Sequence, residues 1–243
     1  MKHLTNRELM ELQAETLFVQ NGRKQLISIN EPVPHEQAPA PLLFIGTTNE
    51  GNICRFRHDL PAYLSHSLET VIKNGAGNLL ADNFTLFNQV TEQLLANGYH
   101  IEQCWIGPAY HFPAATLTTD TAIAINASNA DTLQKHFPYT FANLKWLQPC
   151  AAIIVEGNAV SICRTVRRSP QAAEAGADTI PTMQQRGYGA KVVAKWAWLA
   201  QRMGIRPLYS TASSNIASQK LAAKLGLLYY GFDFHLSEGN KCQ

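Results

Sequence analysis

Gln184-Gln185-Arg186-Gly187-Tyr188-Gly189-Ala190 joins an extended segment to a helical one. Upstream, Ala172 to Thr179 alternates as a strand does and is stopped by Pro181. Downstream, Val192, Trp196, Leu199 and Met203 recur at spacings of four, three and four, which is one face of a helix. Glycines just before the first turn let a ligand approach the backbone, because no Cβ intervenes and a positive φ costs little. The amides of that turn have no intrahelical acceptor, and the helix dipole places partial positive charge there. A junction built this way binds phosphate or pyrophosphate. It also serves as an ordinary strand–turn–helix connection, and the glycines alone leave both readings open.

What is missing narrows the ligand. A P-loop needs Gly-Lys-Ser/Thr at the helix start, but Gly189 is followed by Ala190-Lys191-Val192. A dinucleotide fingerprint needs a further glycine where Val192 stands. The spacing Gln184-x-x-Gly187-x-Gly189 instead resembles the pyrophosphate loop of the GNAT superfamily of acetyl-CoA-dependent N-acetyltransferases. Downstream order extends the resemblance over roughly the last third of the chain. Pro207 to Thr211 reads as a strand, Asn215-x-x-Ser218 opens a helix ending before Gly226, and Leu227 to Leu236 reads as the last strand.

Composition sets outer limits. The chain has 243 residues, 46% hydrophobic and 16% charged, enough for one large or two small globular units. A net charge of +2 carries no polyanion-binding signal, so nucleic acid is not an expected partner. Five scattered cysteines without a C-x-x-C pair predict reduced thiols, a cytoplasmic setting and no metal site. No apolar run reaches about 18 residues, so no membrane span is expected.

In chain order, Thr5-Asn6-Arg7-Glu8 has the form of a capping box opening a helix from Asn6 to Gln20. Leu26 to Ile29 is a strand candidate, and the proline-rich Glu31 to Pro41 must be a connection. Leu42–Thr47 and Asn52–Arg57 form a hairpin, followed by helices at Pro61–Lys73 and Ala81–Ala96 and a strand at Tyr99–Ile106. Gly107-Pro108 breaks the pattern, and a domain boundary is placed across Gly107 to Pro113. Beyond it come a strand at Thr121–Ile125, helices at Asn129–His136 and Tyr139–Leu147, and a hairpin of Cys150–Val155 with Ala159–Val166. The fold expected is α/β of the α+β type: a GNAT-like mixed, mostly antiparallel sheet flanked by helices at 114–243, with an N-terminal α/β domain at 1–113. Glu50-Gly51-Asn52 and Glu156-Gly157-Asn158 share turn chemistry, which suffices to explain the repeat. A degenerate GNAT-like first half is the bolder reading, although Gly75-Ala76-Gly77 makes no second pyrophosphate loop.

The resemblance implies acetyl transfer from acetyl-CoA to a primary amine by direct attack in a ternary complex. It assigns Gln184, Gln185, Arg186, Gly187, Tyr188, Gly189 and Ala190 to the pyrophosphate, and Asn215 and Ser218 to the pantetheine arm. Lys191, Lys220 and Lys224 could meet the 3′-phosphate, against the plain alternative of a solvated helix face. On the strand 172–179, period-two alternation puts Glu174, Gly176 and Asp178 on one face. Related enzymes often carry the base on this strand, which makes Glu174 the candidate; the alternative is a surface carboxylate paired with Arg164, Arg167 or Arg168. The family's acid, a tyrosine seven residues after the helix-opening Asn, is here Ala222. Tyr230, Tyr229 or Ser218 could replace it, or the thiolate leaves unassisted. His235 is an alternative base. The same Ala222 keeps a rival open: a non-catalytic acyl-CoA-binding sensor or interaction module. The partners expected are acetyl-CoA and an amine acceptor, in a monomer or a homodimer.

Overall fold

The computed structural model describes residues 3–74, 83–114 and 121–239. Gly75-Ala76-Gly77, the expected helix start at Ala81 and Cys242 lie outside the described residues. Helix α1 (Asn6–Leu17) opens as its sequence predicts: the Thr5 hydroxyl accepts from the Glu8 N–H, and the Glu8 carboxylate accepts from the Thr5 N–H. Glu50, from a distant turn, takes the N–H groups of Asn6 and Arg7, each at 3.2 Å. The helix stops at Leu17, short of the expected Gln20. There Phe18 turns extended, and β1 (Phe18–Gln20) pairs with β2 (Leu26–Ile29) as a small separate sheet.

The remaining strands among the described residues form one nine-stranded sheet: β3 (Leu43–Thr48), β4 (Gly51–Phe56), β5 (Ile101–His111), β6 (Ile123–Ile125), β7 (Cys150–Val155), β8 (Asn158–Arg168), β9 (Ala172–Thr179), β10 (Arg206–Ser210) and β11 (Leu228–Glu238). Their spatial order is β4-β3-β11-β5-β10-β9-β8-β7-β6. Only β9 and β10 are parallel within it. The mixed, mostly antiparallel α/β sheet expected from the sequence is thus present, and strands from both halves of the chain share it. The last strand, β11, lies between β3 and β5, and β5 pairs with both β11 and β10.

Strand β5 overturns the pattern break expected at Gly107. It runs on through Pro108 to His111, and Ala109, Tyr110 and His111 pair with Ser210, Tyr209 and Leu208. Pro108 is tolerated because its carbonyl accepts from the Thr211 N–H (3.3 Å), so its missing N–H faces the side where β10 has already ended. The expected helical pair around Pro138 shrinks to a 3-10 turn (Ala130–Leu133) and one short helix, α4 (Pro138–Asn143). Pro138 sits in its first turn, where no N–H is needed.

Alternation along the strands divides the core. Phe44, Ala109, Ala172, Leu208 and Tyr230 meet Leu9, Met10 and Leu12 of α1 on one face. On the opposite face Ala151, Cys163, Ala173 and Tyr209 meet Val192, Val193, Trp196 and Ala197 of α5 (Tyr188–Arg202). The predicted face of α5 is buried at Val192 and Trp196 and runs out at Met203, which is 51% exposed. Trp196 Nε1 donates to Thr165 Oγ1 at 3.1 Å, so the largest buried side chain has its polar atom satisfied. Helices α2 (Ala62–Asn74) and α3 (Asn83–Ala96) cover the β3–β11 end through Leu64, Leu68, Phe87 and Val90. Helix α6 (Ile216–Lys224) packs its Ala222 beside α5. No helix among the described residues is long and apolar enough to cross a membrane.

Candidate active site

The site begins where two parallel strands part. Strands β9 and β10 pair at Arg206↔Ala172, Pro207↔Ala173 and Leu208↔Glu174, and no further. Beyond Glu174, β9 continues to Thr179 against β8 alone, while the chain after β10 follows β5, with Ser213 N–H donating to the Ile106 carbonyl at 2.8 Å. The split leaves a gap through the sheet, and the edge of β9 from Ala175 to Thr179 has no strand on that side.

On the α5 face, the gap leads to the glycine loop. Gly187 is the N-cap of α5 with φ 74°, a conformation that L side chains rarely adopt, which explains glycine there. Gln185 also has a positive φ, 61°. The side chains of Gln184, Gln185 and Arg186 are exposed, and Gln184 Nε2 reaches back to the Thr179 carbonyl at 3.3 Å. By helix geometry, the N–H groups of Tyr188, Gly189 and Ala190 open toward the loop without intrahelical acceptors. Lys224, at the end of α6, brings its Nζ to the loop: a Cβ on Gly187 would stand 3.2 Å from it. Asn215 caps α6, its Oδ1 accepting from the Ser218 N–H at 3.0 Å. The Ser218 hydroxyl lies 2.5 Å from the Tyr209 hydroxyl. The loop thus meets the second half of α6 through Lys224 and Leu221, while Asn215 and Ser218 stand at the start of that helix beside Tyr209 of β10.

On the α1 face, the gap opens into a cleft of about 430 Å³ lined by α1, β1, β2, β5, β8, β9, β10 and β11. Glu174 lies at its base, 4% exposed. Ser210 Oγ donates to its Oε1 at 2.7 Å, while Oε2 is buried without a hydrogen-bond partner. Burial pushes the carboxyl up to about 7, against the opposing pull of the Ser210 hydrogen bonds. Two of the arginines expected as alternative partners are engaged elsewhere. Arg164 pairs with Asp178, and Arg167 grips Glu31 in a bidentate pair at 2.8 and 2.9 Å.

A second carboxyl, absent from the sequence-based site, closes the cleft. Asp233 is fully buried, accepting from Trp105 Nε1 and Gln13 Nε2, each at 3.2 Å. Burial, reinforced by the charge of Glu174, pushes it up to about 7. Tyr230, considered as a substitute acid for the thiolate, is 1% exposed beneath α1 and donates to Gln13 Oε1 at 2.8 Å. That position suits it to hold Gln13, and through Gln13, Asp233. Tyr229 is 46% exposed and edge-on to Tyr110. His235 lies flat on Trp105, with ring centroids 5.7 Å apart, and burial pushes it down to about 4. The signal for Asp233 was present in Phe232-Asp233-Phe234, a lone carboxylate within an apolar strand. Ser210 and Trp105 carried no comparable local signal.

The raised carboxyls make stability fall as pH rises. Both bind protons in the folded state at a pH where the unfolded chain has released them, so their contribution is intact below about 4 and lost through about 7. His235 acts oppositely between about 4 and its ordinary 6.5, so the decline is clean only above 6.5. Unfolding midpoints measured from pH 6.5 to 8.5 are expected to drop, by on the order of 2 kcal/mol in stability. Asp233→Asn should flatten that drop; an unchanged slope would show that Asp233 ionises freely in the folded protein.

No protein-family model matches the chain, and no curated protein matches it. Among solved structures, it is similar to a GCN5-related N-acetyltransferase-like protein from Streptococcus suis (17% identity, TM-score 0.47, 66% of this chain and 77% of that one). It is also similar to an acetyltransferase of the GNAT family from Colwellia psychrerythraea (12% identity, TM-score 0.47, 98% of each chain). A conserved protein of unknown function from Staphylococcus epidermidis aligns over 96% of each chain, at 12% identity and TM-score 0.50. At these identities the likeness is one of fold. The chain is a mixed, mostly antiparallel α/β protein with a split parallel strand pair and a glycine loop beside the split.

Proposed function

We propose that the protein is an N-acetyltransferase that moves the acetyl group of acetyl-CoA to a primary amine within a ternary complex. The observation carrying this reading is the divergence of β9 and β10 at Glu174. It gives an extended thiol ester a free strand edge to lie along, and it puts a buried carboxyl at the point where the two faces of the sheet communicate. The amides of Gly187 to Ala190, with Lys224 and Arg186 close by, suit the pyrophosphate. A free N–H on the edge of β9 suits the thioester carbonyl, where negative charge develops.

The chemistry then balances as follows. An ammonium entering from the α1 face gives one proton to ionised Glu174, which exposes its lone pair. The nitrogen attacks the carbonyl carbon, the C–N bond forms and the C–S bond breaks. The thiolate takes a proton from solvent through the Tyr209–Ser218 hydroxyl pair, the second amine proton passes to solvent as the amide forms, and Glu174 releases the first to solvent as the product leaves. The hydroxyl pair fills the role left open by Ala222, itself buried in the cluster that contains Tyr209. Residues 1–113 serve as an accessory half that walls the acceptor cleft through Leu17, Phe18, Ile29 and Trp105.

Thermal unfolding with and without acetyl-CoA tests the first step. Ligand at ~100 times its Kd adds roughly 2.7 kcal/mol, a rise of about 5–10 °C for a chain of this size. The rise should come with acetyl-CoA and not with NAD or ATP. No shift at millimolar acetyl-CoA would remove the proposal, and a shift without turnover of any amine would leave only a CoA-binding module.

A further inference from the structure

We infer that the acceptor is a monoamine carried on a flat aromatic group by a short arm, such as an arylethylamine, and is neither an amino acid nor a polycation. This rests on the acetyltransferase reading and names the substrate of the same site. The cleft on the α1 face has one polar end and apolar walls. At its base are Glu174 and Asp233, and Glu174 Oε2 is buried with no donor. A buried carboxylate oxygen without a partner is costly, and an ammonium entering the cleft supplies the missing N–H. Every other strong donor at that end is already committed: Ser210 to Glu174 Oε1, and Trp105 Nε1 and Gln13 Nε2 to Asp233.

The walls favour a planar ring. Phe18, His235 and Trp105 form a continuous aromatic surface, Phe18 edge-on to His235 at 5.9 Å and His235 stacked on Trp105. Leu17, Ile29 and Val166 complete the lining. His235 contributes a neutral ring there, since burial disfavours its charged form. A slot of this kind accepts an aromatic group face-on or edge-on.

Charge decides what the cleft refuses. Among the described residues its only lining Lys or Arg is Arg167, whose guanidinium is held in a bidentate pair by Glu31. An amino acid would bring its carboxylate into the aromatic slot with no free cation to meet it. A polyamine or aminoglycoside would bring ammonium groups beyond the first, and among the described residues no carboxylate lines the cleft outside the Glu174–Asp233 end.

Release of CoA thiol, measured with the full chain and saturating acetyl-CoA, tests this with tryptamine, tryptophan, spermidine and kanamycin. The kcat/KM for tryptamine should exceed each of the others by about 100-fold or more, the penalty of an unpaired charge in an apolar site. Glu31→Gln, which frees the Arg167 guanidinium, should narrow the ratio of tryptamine to tryptophan by about tenfold, a change that mere loosening of the fold would not produce. Turnover favouring tryptophan, spermidine or kanamycin would overturn the aromatic monoamine and leave the acetyltransferase intact. A tryptamine preference unmoved by Glu31→Gln would overturn the part assigned to the Arg167–Glu31 pair. No turnover of any amine by a protein that binds acetyl-CoA would overturn both.

Discussion

Glu174→Gln is expected to lower kcat for amine acetylation by about 10²–10⁴-fold, the usual worth of a positioned general base, while acetyl-CoA affinity stays the same. Glutamine matches the shape of glutamate and can still accept the Ser210 hydrogen bond through its amide oxygen, so the strand and the cleft survive the change. What disappears is the group that takes a proton from the ammonium. The glycine loop at 184–190 adjoins α5 on the opposite face of the sheet and touches none of this. The pH profile gives a second, independent reading. With its carboxyl at about 7 in the free protein, Glu174 is protonated in acid and ionised in base, so wild-type kcat/KM should climb with pH through neutrality and level off above it. Asp233 and His235 face the same cleft, and Arg167 lines it paired with Glu31. Asp233 titrates in the same range and touches no free proton path, since both of its oxygens accept from fixed donors. Loss of the climb in Glu174→Gln, with the climb retained in Asp233→Asn, would assign the profile to Glu174. An unchanged kcat in Glu174→Gln would remove it from the mechanism.

Why the sequence marks a role for Glu174, but for Asp233 marks only a carboxylate in an apolar strand, follows from how far each signal reaches. The glycine loop, the Asn215 cap and the alternation that puts Glu174 on a defined strand face are properties of a few consecutive residues. Local stereochemistry is enough to read them. Asp233 acquires its meaning from Gln13 and Trp105, which lie 220 and 128 residues away in sequence and meet it only because β11 enters between β3 and β5. No pattern within a strand encodes its neighbours. The fate of Arg167 was hidden for the same reason. On β8 it is in register with Glu174, and only the folded position of the proline-rich connection brings Glu31 to its guanidinium instead. Tyr209 shows a related limit. The family pattern directs attention to Ala222 on the helix, whereas a hydroxyl on the adjoining strand reaches Ser218.

Gly107→Ala should cost about 4 kcal/mol or more, at the far end of what single substitutions do, and should lower the stability of the whole chain together. A Cβ at Gly107 would overlap the Thr211 carbonyl oxygen and stand 2.8 Å from its carbon and 3.1 Å from the Ala212 Cα. These are backbone atoms, so no rotamer change relieves the clash. The segment they belong to is pinned to β5 by the Thr211 and Ser213 N–H groups. Gly107 also faces Asp233 across the β5–β11 ladder, so the strain arises where the two halves of the chain interlock. As a sequence, Gly107-Pro108 marks a break; in the fold it is the place where β5 passes close beneath the chain leaving β10, and the smallest residue is needed for that approach. If the halves of the chain unfolded independently, a clash here would shift only one of two transitions. Because β5 and β11 knit strands of both halves into one sheet, denaturant unfolding of Gly107→Ala should show a single transition at a lower midpoint with an unchanged slope. A variant with near-native stability would mean that the close approach at Thr211 relaxes freely. Two separated transitions would mean that residues 1–113 hold together without the rest of the sheet.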